Sequence, residues 1–591
     1  MHTSDRLVDL RNKMSELGVD ACIIPSGDPH LSEYPSEHWK VREWISGFTG
    51  SAGTVVVTME EAGLWTDSRY YLQAEEELDL HCIQLFRDGE KGVPSITEWL
   101  CEVLMPGSRV AINGQTVSVS FLRKLTRELR SSQIRVDANL SLAEDSWENR
   151  PALPENTVYL HDDKLAGASR TEKLDLVRKL MKRDGVSHYI TGALDEIAWL
   201  LNMRGNDVAF NPVFHAFMIV EHSFVKLFIN PHKLTAQIAR KLDADDIRVS
   251  LYENFESHVR EIPDEATVML DPDRINSTVY SILSPKINKI EGLSYIAALK
   301  ARKNETEIAN IKQTLVNDGV AMVKFLKWIE DNVPGGKVSE ISAAARLKAF
   351  RAEQPGFVGE SFRTISGYAG HGAIVHYSVS TESDVQLKPE GLYLVDSGGQ
   401  YHTGTTDITR TVALGPFPEQ ARRDYTLVLK GHISLARAIV PHGTRGVQLD
   451  VYARQAMWRE GLNYGHGTGH GIGYFLNVHE GPQSIRPDNS FVIEPGMVCS
   501  NEPGLYRTGH YGIRIENLIL AKVSKETEFG TYLEFETMTL CPIDKTLIDK
   551  TMLTEEEINW LNNYHRQVYD SLAPKLDEEH LNWLKEKTTE L

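Results

Sequence analysis

Cysteine is scarce in this chain of 591 residues: there are five, Cys22, Cys82, Cys101, Cys499 and Cys541, scattered, odd in number and without a CxxC pair. That excludes a disulfide framework and a thiolate-built metal site, and it makes a reducing cytoplasm the natural compartment. Cys499 lies near Glu502 in sequence, yet a buried strand residue is a simpler reading than a nucleophile. Long apolar runs are also missing. None approaches the roughly 20 residues of a membrane span, and the opening Met1-His2-Thr3-Ser4-Asp5-Arg6-Leu7-Val8-Asp9-Leu10 has an amphipathic helix pattern without the apolar stretch of a signal peptide. Positive charge is in deficit: 63 Lys and Arg stand against 82 Asp and Glu, a formal net charge of -19. Nucleic-acid binding depends on cationic side chains displacing counterions, so neither nucleic acid nor membrane is an expected partner. A dinucleotide-binding loop is absent too, because glycine recurs at every second position from Gly465 to Gly473 and no G-x-G-x-x-G fits.

What is there is an ordinary globular composition, 41% hydrophobic and 25% charged, in a chain too long for one core. At roughly 100 to 200 residues per domain it holds three or four units. Residues 1–150 read as an N-terminal α/β domain with a helix, an apolar strand at Ala21–Pro25, a Gly-rich turn over 46–53 and a strand at Thr54–Thr58. That turn leads into a strand, whereas a phosphate cradle runs from strand to loop to helix. Prolines 151 and 154 mark a linker into residues 151–300, a second α/β domain with a helix over 170–181 and strands at His188–Thr191 and 216–220. Trp44 precedes Gly50 at the spacing with which Trp199 precedes Gly205, a faint sign that this domain is related to the first. Residues 301–591 read as an α+β domain. Its long first helix ends near Leu326, helices near 419–439 and 447–460 alternate with strands, and a tail helix starts on the capping box of Thr554 and Glu557.

Five potential metal ligands come in order within that last domain: Asp396, Asp407, His470, Glu502 and Glu516. Four carboxylates and an imidazole are too many charged groups to bury together unless cations compensate them. Asp396 ends the apolar run 392–395 ahead of Ser397-Gly398-Gly399, and Asp407 opens a stretch rich in β-branched residues, so the two carboxylates can meet across a hairpin. Alternation over 511–520 puts Arg514 and Glu516 on one strand face and Ile513 and Ile515 on the other, so an arginine beside the acids is expected, pairing with Asp396 or another ligand acid. Alone, an Asp at a strand end is a turn residue, a strand Glu faces water and a single His is a satisfied polar group. Their joint order overturns those readings. Oxygen-rich ligation favours hard or borderline divalent ions such as manganese, iron or cobalt.

These segments carry a family resemblance. Leu394-Val395-Asp396-Ser397-Gly398, Gly404-Thr405-Thr406-Asp407-Ile408-Thr409-Arg410, His466-Gly467-Thr468-Gly469-His470-Gly471-Ile472-Gly473, Asn501-Glu502-Pro503-Gly504 and Gly512-Ile513-Arg514-Ile515-Glu516-Asn517 resemble the five metal-binding motifs of the pita-bread metallopeptidases. The N-terminal 65–74 and the middle 193–200 extend the likeness to the long, three-domain Xaa-Pro aminopeptidases. The resemblance implies two creatinase-N-like α/β domains before a pita-bread α+β catalytic domain. It implies two divalent ions, manganese first and cobalt, iron or zinc as alternatives, bridged by Asp407 and Glu516, with Asp396 completing one and His470 and Glu502 the other. It further implies that a hydroxide between the ions would attack the bond between an N-terminal residue and a penultimate proline, with Glu502 shuttling the proton to the leaving nitrogen. By the same likeness His376 and His479 contact the peptide and its developing oxyanion, His466 supports the site or moves protons, and Arg514 fixes a ligand acid. The glycines of 465–473 would let backbone approach the metals. Arg69 resembles a residue that reaches peptide from a neighbouring subunit, which calls for a homodimer. His371 has no counterpart role and reads as structural.

Two kinds of alternative remain open at this level. One is a sister peptidase: a prolidase, which requires a dipeptide, or a methionine aminopeptidase, which the long N-terminal half disfavours. The other is a pita-bread module without catalysis that binds peptides or proteins, against which the intact ligand set speaks.

Overall fold

The central strand of the N-terminal sheet, Ala21–Pro25, shows why this half folds in layers. Cys22 and Ile24 join one buried apolar cluster with Val55 and Val57, whereas Ala21 and Ile23 join another with Val56. Alternation along a strand sends successive side chains to opposite faces, and both faces here are covered by helices, so the strand is apolar throughout. The computed structural model describes residues 2–591. Of the amphipathic opening, Met1 lies outside the described residues, and the helix Thr3–Glu16 buries Leu7, Leu10 and Met14.

The chain forms two compact units, one running to Asp163 and then from Ala168 to Ile296, the other made of Lys164–Gly167 and Ala297–Leu591. The first holds two six-stranded sheets. Strands β1 (Ala21–Pro25), β2 (Thr54–Thr58), β3 (Ala62–Thr66), β4 (Gln84–Arg87), β5 (Arg109–Ile112) and β6 (Arg135–Asp137) lie in the order 4-3-2-1-5-6. Strands β7 (His188–Thr191), β8 (Phe217–Glu221), β9 (Val225–Phe228), β10 (Ile247–Ser250), β11 (Thr267–Leu270) and β12 (Asn288–Glu291) lie in the order 10-9-8-7-11-12. The two orders are the same once the second is counted from its own first strand. The directions agree as well, with the first three strands of each sheet paired antiparallel and the other three pairs of each sheet parallel. The Trp–Gly spacing therefore accompanies a repeated topology.

In the second unit the opening helix runs from Glu305 to Asn332, beyond Leu326, because Ile329 is buried on the same face and keeps the apolar stripe going. Asn304 caps it, with Glu307 completing the box. The helices Glu419–Ala436 and Gly446–Trp458 pack together beside a six-stranded sheet that contains Gly469–Gly471, Val498–Asn501 and Asn517–Thr527. A three-stranded sheet pairs Ile365–Tyr368, Leu392–Ser397 and Ile408–Ala413. Capped by Thr554 with Glu557, the tail helix Glu555–Leu572 buries Leu561, Val568 and Leu572.

Arg410 fastens this tail to the strands. Its side chain is fully buried and donates to the carbonyls of Thr409, Glu516, Cys541 and Pro542, to Asn517 Oδ1 and to Tyr564 Oη, at 2.7 to 3.0 Å. A buried guanidinium is tolerated only when its donors are satisfied, and here acceptors surround it. Arg410→Met keeps the length but strips those acceptors of their donor. It is expected to cost about 3 kcal/mol, read as a lowered midpoint in urea unfolding of the full chain.

Candidate metal centre

Four of the five expected ligands, Asp407, His470, Glu502 and Glu516, stand where a strand begins, breaks or bulges, while Asp396 is paired on both sides near the end of its strand. Val498–Asn501 pairs with Asn517–Thr527 in the six-stranded sheet, and Gly504–Arg507 pairs with Tyr511–Arg514 in a separate two-stranded ladder. The stretch 511–520 is thus two strands rather than one. Pro503 has no N–H to offer a ladder, and the interruption leaves Glu502 and Glu516 between the two pairings. Their backbone groups find other partners: Glu502 N–H donates to Thr468 O at 2.7 Å and Glu516 N–H to Thr409 O at 3.1 Å. Asp396 lies one residue from the end of Leu392–Ser397, Asp407 just before Ile408–Ala413, and His470 at a register shift in Gly469–Gly471. Broken pairing aims side chains out of the pleat.

The side chains converge. One ligand atom each from Asp407, His470 and Glu516 lie within 4.8 Å of one another. His470 Nε2 is 3.4 Å from Asp407 Oδ2 and 3.5 Å from Glu502 Oε1. Asp396 receives Arg514 Nη2 on Oδ2 at 2.7 Å, while its buried Oδ1 has no hydrogen-bond partner. A carboxylate oxygen withdrawn from water without a donor, facing three further acids, fits a cation site. Burial, and then repulsion from the neighbouring carboxylates, pushes Asp407 and Glu516 well above the usual carboxylate range. Glu502 is pushed up to about 7, first by removal from water, with Asp407 and Asp396 adding to it and His470 opposing.

The histidines differ in placement. His479 stands edge-on to His470, ring centroids 4.3 Å apart. His466 joins a chain in which Arg514 Nη1 donates to Tyr506 Oη at 2.6 Å and that hydroxyl is 2.8 Å from His466 Nε2. The carbonyl of Val375, next to His376, receives Arg514 Nη2 at 3.4 Å. His371 instead pairs with the buried Glu340. Arg69 lies in the other unit, in a two-pronged pair with Asp67 at 2.7 and 2.8 Å. The alternating glycines bring Gly469–Gly471 against its neighbouring strands, since a Cβ on Gly469 would stand 2.0 Å from Ser500 O. Cys499 is a buried strand residue whose thiol is pushed up to about 12 by burial.

Sequence reasoning passed over Tyr506 and Thr409. Thr409 Oγ1 donates to Glu516 Oε2 at 2.7 Å and receives Arg514 Nε at 3.1 Å. Each sits an even number of residues from a ligand, Thr409 two from Asp407 and Tyr506 four from Glu502, so strand alternation was the available signal.

Raised folded-state values mean that the native chain holds protons that the unfolded chain releases, so stability falls with rising pH. Protein stripped by a chelator is expected to melt progressively lower as pH rises from about 4.5 toward and beyond 7, the window between the ordinary Glu value and that of Glu502. Divalent cation should remove that slope. Thermal unfolding across pH, with and without added manganese, checks both arms.

With the geometry described, comparison with known proteins becomes informative. Models of the creatinase/prolidase N-terminal domain match residues 6–140 and 149–307. Metallopeptidase family M24 matches residues 309–522, and the C-terminal region of peptidase_M24 matches 531–591. The chain is 39% identical over 607 residues to a probable Xaa-Pro aminopeptidase P of Laccaria bicolor, covering 100% of this chain and 94% of that protein. It is 38% identical over 613 residues to aminopeptidase P2 of Arabidopsis thaliana, covering 97% and 86%. The crystal structure of X-prolyl aminopeptidase from Caenorhabditis elegans, described as a cytosolic enzyme with a di-nuclear active site, superposes with a TM-score of 0.96 at 32% identity over 100% of both chains. An N-terminal half with a repeated α/β topology, a candidate ligand set gathered near strand ends and interruptions and end-to-end similarity to these relatives lead to one assignment: the chain belongs to metallopeptidase family M24, in its Xaa-Pro aminopeptidase P group.

Proposed function

We propose that this chain is a cytoplasmic, homodimeric aminopeptidase that removes the N-terminal residue of peptides with proline second, using two divalent ions, manganese in the first place. The observation that carries the reading is the convergence of Asp407, His470 and Glu516 beside the buried, unpartnered Oδ1 of Asp396. It is preferred to a prolidase or a binding module because the relatives matched end to end carry aminopeptidase names and all five positions keep ligating side chains. Among the described residues no helix is long and apolar enough to cross a membrane.

Asp396, Asp407, His470, Glu502 and Glu516 would hold the ions. When bound, divalent cations supply Lewis acidity and lower the pKa of water into the neutral range. Arg514 holds Asp396 by one oxygen and so leaves the other for ligation. By the family resemblance Glu502 is the carboxylate for proton transfer to the proline nitrogen, and its side chain keeps 17% exposure. The proline nitrogen of the tertiary amide leaves as an amine only when it receives that proton. His479 and His376 are assigned to the peptide and its oxyanion, and His466 with Tyr506 to holding Arg514 in place. Arg69 is assigned to peptide bound by the second subunit.

On a panel of peptides that differ only at the second residue, mass spectrometry is expected to find release of one N-terminal residue where proline is second. Equal rates with alanine second would remove the specificity, and activity confined to dipeptides would favour a prolidase.

Glu502→Gln retains an oxygen ligand but cannot carry a proton, so turnover should fall by at least roughly 100-fold while metal is still held. His479→Ala should keep its metal and weaken catalysis by roughly 100-fold. Metal analysis beside steady-state kinetics reads both. Metal lost from the His479 variant would put that imidazole among the ligands instead.

A further inference from the structure

Around one buried carboxylate the segment from Tyr368 to Leu387 takes its shape. Glu340 opens the helix Glu340–Ala352 and is fully buried. Its Oε1 accepts from Tyr368 N–H at 2.7 Å, both oxygens lie 3.0 Å from His371 Nδ1, and Oε2 accepts from Tyr377 Oη at 2.9 Å. The rings of His371 and Tyr377 meet with centroids 4.6 Å apart. A carboxylate withdrawn from water needs donors on both oxygens, and this one recruits them from a single stretch of chain. The same stretch is tied further on, where Tyr377 Oη meets Ser383 Oγ at 2.9 Å and Ile341 N–H donates to Asp384 Oδ1 at 3.0 Å.

His376 sits inside that stretch. Val375 on one side of it offers its carbonyl to Arg514, the arginine that grips Asp396, and Tyr377 on the other is held by Glu340. The approach to the strand carrying Arg514 is as close as backbone allows, because a Cβ on Gly512 would stand 1.7 Å from Gly372 O. Backbone on both sides of His376 is therefore fixed, by the metal centre's arginine and by a carboxylate that belongs to no ligand set.

We propose that Glu340 is a positioning residue for His376, acting through Tyr377 and His371. The inference rests on the reading of His376 as a group that touches the peptide. A loop histidine contributes to a transition state only if it is held before the substrate arrives, and displacement by about 1 Å costs catalysis steeply. Glu340, buried and satisfied only by donors from this loop, holds it there. His371, to which the family resemblance gives no part, has one on this account: it shares the carboxylate with Tyr377 and keeps the hydroxyl aligned.

The test is a double-mutant cycle on the metal-loaded full chain. Tyr377→Phe removes one buried hydroxyl and keeps the ring, and it should lower kcat/KM for an Xaa-Pro peptide by about tenfold with metal content unchanged. In a His376→Ala background the same substitution should have almost no further effect, and His371→Phe should follow the same pattern. Additive losses, with His376→Ala itself damaging, would mean that the network supports the fold without acting through His376, and would overturn the inference alone. A His376→Ala enzyme with full turnover would overturn the reading of His376, and the inference with it.

Discussion

Four carboxylates gathered beside one imidazole set the terms for the second unit. Asp407 and Glu516 are buried, and burial and mutual repulsion both drive them toward the protonated form. Arg514 offsets Asp396 by one oxygen and leaves the other without a donor. One guanidinium cannot neutralise four acids, so the cluster is stable as an ionised set only with cations among it. The surrounding structure exists to hold that unfavourable arrangement: Thr409 donates to Glu516, Tyr506 braces Arg514, and Arg410 pins the backbone of Thr409 and Glu516 to the tail.

The means of convergence is interruption of regular pairing. A continuous strand would have placed Glu502 or Glu516 in a pleat, facing one side of a sheet. Instead the chain leaves one ladder and joins another at Glu502-Pro503 and again at Ile515-Glu516, and the freed N–H groups are taken by Thr468 and Thr409, each two residues from another ligand. Backbone polar groups must be paired somewhere when buried, so the same hydrogen bonds that satisfy the breaks bring the ligand strands together. The first unit shows the opposite habit, with regular sheets repeated in the same order.

The candidate ligands were legible because each lies in a short motif whose chemistry is local: an acid after an apolar run, a histidine among glycines, an acid two residues beyond an arginine. Helices capped by Asn304 and Thr554 were legible for the same reason, since a cap needs only residues three apart. The single strand read over 511–520 was not, because alternation continues through Ile515 while the pairing partner changes, and a partner is invisible in a local pattern. Thr409, Arg410 and Glu340 went unnoticed because their partners are distant in sequence, up to 154 residues for Arg410 and Tyr564.

By itself the sequence determined the chemistry available to this protein: a hard, oxygen-rich donor set, no CxxC thiolate pair and a net negative charge, with strands and helices to carry them. Side-chain type and near-neighbour periodicity suffice for that. Only the tertiary structure decided which acid keeps a free oxygen, which carboxylate retains contact with solvent, and that His371 serves Glu340 while His479 faces His470. Those outcomes depend on strand register and on burial, and both are settled by contacts between residues far apart in the chain.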